Sequence, residues 1–232
     1  MESGKWKGKK RVPELRFPEF EGEWEERKLG ELGGFIKNYS YSRNDEGQGD
    51  YYHIHYGDIH SKYNGYVDEF SKVPSIKSLE KHVKLKNGDI VIADASEDYE
   101  DLGKAIMIMN IKDRKIIAGL HTFGFRAQEN LNSLYFINYT RSNFYKNYMH
   151  RMGTGVSVYG INKSNISKLT VYTPSLPEQQ KIGDFFYKID KKLELQQQRI
   201  EALKEYKKGM MQKIFSQEIR FKDDNGKDYP EW

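Results

Sequence analysis

No cysteine occurs among the 232 residues. That excludes disulfides, thiol nucleophiles and cysteine metal sites. No apolar run approaches the ~18 residues that a membrane-spanning helix requires. The Lys-rich start, Met1 to Arg11, has no apolar stretch behind it and does not read as a secretory signal. A cytoplasmic protein is expected, so triplets such as Asn38–Ser40 carry no meaning for glycosylation. Hydrophobic residues are scarce, at 37%, and the net charge is only +4. That balance permits nucleic-acid binding without demanding it.

Aromatic residues offset the shortage of aliphatics. They reach 14%, with 17 Tyr. A disordered chain would be poor in them, so a folded domain with a core of Tyr, Phe and Ile is expected. Charge is unevenly spread: Lys181 to Lys222 holds 11 Lys/Arg against 6 Asp/Glu. Such a run reads first as the solvated face of a helix.

The pattern divides the chain into a basic tail (1–15), a mixed domain with its lead-in (16–174), a long helix (175–215) and a short tail (216–232). Within the mixed domain, Tyr51–Ile59 alternates. Gly88–Ala93 reads as a buried strand entered through the turn Lys86-Asn87-Gly88. Ala105–Met109, Ile116–Ala118, Leu120–Arg126 and Leu169–Tyr172 are further strand signals. Between Leu134 and Met149 the apolar spacing turns helical, with Gly153 as the stop. Short strands around one central helix predict an α+β domain.

After Pro174, the run Ser175-Leu176-Pro177-Glu178 fits a capping box, with Ser175 accepting from the backbone and Glu178 reaching back. Pro177 is tolerated in a first turn. Apolar residues then recur at Ile182, Phe186, Ile189, Leu193, Ile200, Leu203, Met210 and Ile214. Gln196 and Lys207 fill the two missing positions of this heptad seam. Glu178 to Phe215 is 38 residues, or about 57 Å at ~1.5 Å each. One compact domain of this size cannot cover such a seam, so a partner helix from another chain is expected.

The end of the chain echoes its beginning. Arg220-Phe221 … Tyr229-Pro230-Glu231-Trp232 repeats Arg16-Phe17 … Glu23-Trp24, with four more residues between the anchors. This reads as one repeat unit followed by the first residues of a second.

Four stretches now carry a family resemblance. They are Phe17-Pro18-Glu19-Phe20 … Glu23-Trp24 … Lys28-Leu29-Gly30-Glu31; Leu85-Lys86-Asn87-Gly88-Asp89-Ile90-Val91-Ile92; Gly155-Val156-Ser157-Val158-Tyr159-Gly160-Ile161-Asn162-Lys163; and Pro174-Ser175-Leu176-Pro177-Glu178-Gln179-Gln180-Lys181-Ile182. The last is the most specific. In this order the chain resembles the DNA-specificity subunits of type I restriction–modification enzymes, in a half-length form. The resemblance implies a non-catalytic, target-recognition domain followed by a helical spacer. Its implied partners are double-stranded DNA, modification subunits that hold S-adenosylmethionine and methylate adenine, and restriction subunits. No cofactor is expected in this chain. Full-length relatives carry two units with their long helices antiparallel. This sequence has one, so it reads either as a natural half-subunit pairing with a copy of itself or as a truncation. A homodimer would read inverted, identical half-sites.

DNA contacts are expected on loops of the mixed domain. The first loop offers Lys37, Asn38, Tyr39 and Arg43. A second group surrounds His55, with His53, Tyr56 and His60 beside it. The loop from Arg151 through Thr154 and Ser157 combines a cation, hydroxyls and glycines that let backbone approach a phosphate, and Tyr159 and Lys163 follow. His53 and His55 share a strand face, but no third ligand declares itself, so no metal is expected. Gly155 and Gly160 do not make a phosphate loop, because Ile161-Asn162 precede Lys163. Asp89, Asp94, Glu97, Asp98, Glu100, Asp101 and Lys104 lack a defensible nuclease spacing and read as an acidic loop. The competing reading is a coiled-coil adaptor whose mixed domain binds protein, or a regulatory half-subunit without DNA readout.

Overall fold

The computed structural model describes residues 12–78 and 80–230. Most of the basic tail (1–11), and Glu231 and Trp232 of the second motif copy, lie outside them. The chain divides into two compact units, one up to Phe185 and one from Phe186 onward.

The first unit is α+β. In chain order it contains β1 (Glu25–Lys28), α1 (Leu29–Leu32), β2 (Gly33–Ile36), β3 (Glu46–Ile54), α2 (Tyr56–Ser61), β4 (Tyr66–Val67), β5 (Ser75–Ile76), β6 (Ile90–Ala93), β7 (Ala95–Ser96) and β8 (Ala105–Ile108). It continues with β9 (Lys115–Ala118), β10 (Thr122–Ala127), α3 (Ser133–Tyr139), α4 (Asn143–Met152), β11 (Tyr159–Gly160), α5 (Lys163–Ser167), β12 (Thr170–Thr173) and the start of α6 (Leu176–Phe215).

A five-stranded sheet, ordered β2-β10-β6-β8-β4, forms the centre, with β5-β3-β9 as a second sheet. Both faces of the central sheet are covered, which is why β6 and β8 are apolar without a break. Ile90, Ile92, Met107, Phe123 and Phe125 pack with Leu29, Phe136 and Tyr145 on one face. Val91, Ala93, Ile106 and Ile108 pack with Ile54, Ile59 and Ile116 on the other. Gly88 takes φ +87 in the predicted turn before β6, where Asp89 accepts from Lys86 N at 2.6 Å and from the Arg126 guanidinium.

Two elements differ from the sequence expectation. The alternating run 51–59 is not one strand. His55 ends it by capping α2, its Nδ1 accepting from Gly57 N at 3.1 Å. The central helix is two helices. Thr140 and Ser142 hydroxyls donate to carbonyls behind them, and Ser142 then caps α4 by accepting from Tyr145 N. Glu178 also departs from its capping-box role. Its buried carboxylate accepts from Arg16 and, at 3.3 Å, from Trp24 Nε1.

In the second unit, Phe186, Ile189, Leu193, Ile200 and Leu203 of the predicted seam are exposed, while Met210 and Ile214 are partly covered. The tail reproduces one detail of the lead-in. Arg16 donates to the carbonyls of Glu21 (2.9 Å) and Gly22 (2.7 Å), and Arg220 donates to those of Tyr229 (2.7 Å) and Pro230.

Candidate nucleic-acid interface

The ends of several strands meet at one edge of the first unit. β2 runs on to Asn38, which bridges in parallel to Ala118 at the end of β9. Tyr39 N then donates to Ala118 O at 3.0 Å. Lys163, at the start of α5, donates from Nζ to Asn38 Oδ1 at 3.3 Å and lies over the Phe123 ring at 5.0 Å. Two expected contact residues, 125 positions apart, are thus side by side. Lys37 Nζ sits over the Tyr39 ring at 5.1 Å, and Tyr39 Oη accepts from Val83 N at 2.8 Å.

Asp94 ties this edge to the next loop. It follows β6, its backbone N–H donates to His121 O at 3.1 Å, and its carbonyl accepts from Ile161 N at 2.9 Å. Its carboxylate Oδ1 lies 3.2 Å from His121 Nδ1. Burial pushes the Asp94 carboxyl above its ordinary range, against the opposing pull of His121 and of Lys163. β7 continues from Asp94 and pairs with β11, placing Tyr159 opposite Ser96.

The loop before β11 is tightly closed. Thr154 and Gly160 exchange both backbone hydrogen bonds, at 3.0 and 2.8 Å. Gly155 takes φ +137, and a β-carbon there would meet Val158 O at 2.0 Å, so the loop requires glycine. Thr154 and Ser157 are exposed, and Val156 at the tip is 91% exposed. Tyr159 packs on Tyr99 at 4.6 Å, and Tyr99 stacks on His150 at 4.5 Å and donates to its carbonyl. Arg151 is exposed, with a long 3.4 Å bond to Asn147 O.

Arg43 and His55 have internal roles. Arg43 donates to Asp58 at 2.6 and 3.2 Å and to Glu46 at 2.9 Å. Burial works to raise the Asp58 carboxyl, but Arg43 and Lys62 outweigh it and hold the group below its usual range. His55 is buried, and burial, with Arg43 and His53, depresses its imidazole below the ordinary value. A buried ring tending to neutrality is poorly suited to a phosphate. The sequence reading did not single out His121. It falls inside the strand signal Leu120–Arg126, whereas β10 begins at Thr122 and leaves His121 in the turn before it.

This convergence of loops sits in a recognisable fold. A model of the type I restriction modification DNA specificity domain matches residues 21–205. The chain belongs to that family. It is 26% identical over 157 residues to a protein named as a type I restriction enzyme MjaX specificity subunit from Methanocaldococcus jannaschii, covering 67% of this chain and 35% of that protein. Its fold is similar to the type I restriction–modification S subunit from M. genitalium, with a TM-score of 0.59 at 14% identity over 88% of this chain and 49% of that one. It is also similar to the HsdS subunit from Thermoanaerobacter tengcongensis, with a TM-score of 0.51 at 15% identity over 79% and 40%. The chain therefore spans about half the length of these solved specificity subunits, and about a third of the M. jannaschii relative. Among the described residues, no helix is long and apolar enough to cross a membrane.

Proposed function

We propose that this chain reads a short DNA sequence on behalf of a type I restriction–modification complex and performs no chemistry of its own. The observation that carries the reading is the convergence of Asn38, Lys163, Tyr159 and the Thr154–Ser157 loop on one edge of a specificity-family domain. Polar groups there suit base edges, while Lys37, Arg151 and Lys163 suit phosphates. Adenine methylation is assigned to modification subunits carrying S-adenosylmethionine, and cleavage to restriction subunits.

The exposed seam of α6 supports pairing with a second long helix. In the arrangement proposed, that helix comes from a second copy of the chain, running antiparallel. The two recognition domains then read inverted half-sites with unread bases between them.

Titrating the complex with modification subunits against DNA duplexes at rising salt tests the reading. Sequence-selective affinity whose logarithm falls linearly with the logarithm of salt concentration is expected. Protein association that is indifferent to salt, with no DNA binding, would establish the adaptor reading instead.

A further inference from the structure

His121 lies in the turn between β9 and β10 and is about half exposed, with 52% of its side chain open to solvent. Its backbone is left-handed, at φ +52. Such conformations are uncommon outside glycine, and they gather where the surrounding structure imposes them for a purpose. Here the turn is pinned from three sides. Gly119 N donates to Ile54 O at 3.0 Å, Tyr56 N to Leu120 O at 3.3 Å, and Asp94 N to His121 O at 3.1 Å.

The imidazole is oriented as firmly as its backbone. Asp94 Oδ1 meets Nδ1 at 3.2 Å, and the Tyr56 ring stands edge-on at 5.4 Å and 85°. An ionised carboxylate only accepts, so with Asp94 ionised it is Nδ1 that donates in this hydrogen bond. Nε2 is left as the ring's remaining polar atom. Asp94 reaches the rest of the edge through its carbonyl, bonded to Ile161 N, two residues before Lys163. A half-exposed imidazole whose Nε2 meets no hydrogen-bond partner among the described residues therefore stands beside groups suited to phosphates.

We propose that His121 reads one base pair of the half-site through Nε2, and that Asp94 is its positioning residue. This rests on the DNA-reading function proposed above. A lone pair at Nε2 takes the exocyclic amino group of adenine or cytosine, and an N–H there takes the guanine edge. A salt bridge that only staples the turn would show no such selectivity.

His121→Gly is the decisive variant, because glycine accepts the left-handed backbone and removes only the side chain. Methylation motifs are mapped in cells that express the full chain with its modification subunit, wild type against His121→Gly and Asp94→Asn. In His121→Gly, one position of each half-site becomes degenerate, with discrimination there reduced on the order of tenfold or more, and all other positions hold. Asp94→Asn weakens the same position. The base lost distinguishes the two Nε2 chemistries. An unchanged motif in His121→Gly overturns the proposal, and so does a uniform loss across all positions, which would mark a structural role. A wild-type chain that yields no motif overturns the DNA-reading function itself, a separate result.

Discussion

The guanidinium of Arg16 holds the carboxylate of Glu178 through two hydrogen bonds, 2.7 Å from Nε and 2.6 Å from Nη2, across 162 positions of chain. Glu178 is 1% exposed and also accepts from Trp24 Nε1. The lead-in is thus fastened to the first turn of α6 by one buried acid. Glu178→Ala leaves both donors without their acceptor. A fall in thermal midpoint of roughly 2–10 °C is expected by calorimetry, and Glu178→Gln should fall in the same range, because its amide nitrogen would face a guanidinium donor and Arg16 would lose its counter-charge.

Burial disfavours the ionised form of Asp94, and the neighbouring His121 and Lys163 only partly offset it. Its folded carboxyl pKa lies above the unfolded one. The sign follows directly: its contribution to stability is fully present only below the ordinary carboxylate range, and it is lost as pH rises through the folded value. At pH 7 the ionised group therefore opposes folding. Asp94→Asn should raise the thermal midpoint at pH 7, and the gain should shrink as pH falls into the carboxylate range. Stability gained together with specificity lost is the signature of a functional residue.

Lys163 bonds Asn38 at the edge proposed to meet DNA. Lys163→Ala should weaken binding to cognate and non-cognate duplexes alike. The slope of log affinity against log salt should fall by about one unit, as read by fluorescence anisotropy over a salt series.

The seam of α6 gives a prediction about assembly. Leu193 is 62% exposed and Ile200 is 47% exposed, which suits them to a partner helix. Replacing both by Lys should weaken self-association on the order of thirtyfold or more. Sedimentation would show a folded monomer where the unaltered chain dimerises.

How much of this was legible follows from the range of each interaction. The long helix and the buried strands are written in local periodicity, and the family in four ordered motifs. The strand break at His55 and the helix break at Thr140–Ser142 depend on single side chains capping the next turn, which average hydrophobic spacing does not register. Glu178 fits a local capping box, but a guanidinium from the far end of the domain competes for it and wins. Asn38 and Lys163 were each recognisable as polar loop residues. Their contact exists only because β2 and α5 finish at the same edge. His121 was silent, because its orientation comes from Asp94 and Tyr56, neither of which is a sequence neighbour.

The most direct measurement is adenine-methylation mapping in cells expressing this chain as the only specificity subunit beside its modification subunit. A gapped motif with inverted, identical halves is the predicted result. An asymmetric motif would contradict pairing of the chain with itself, and the absence of any motif from an assembled complex would contradict the DNA-reading function.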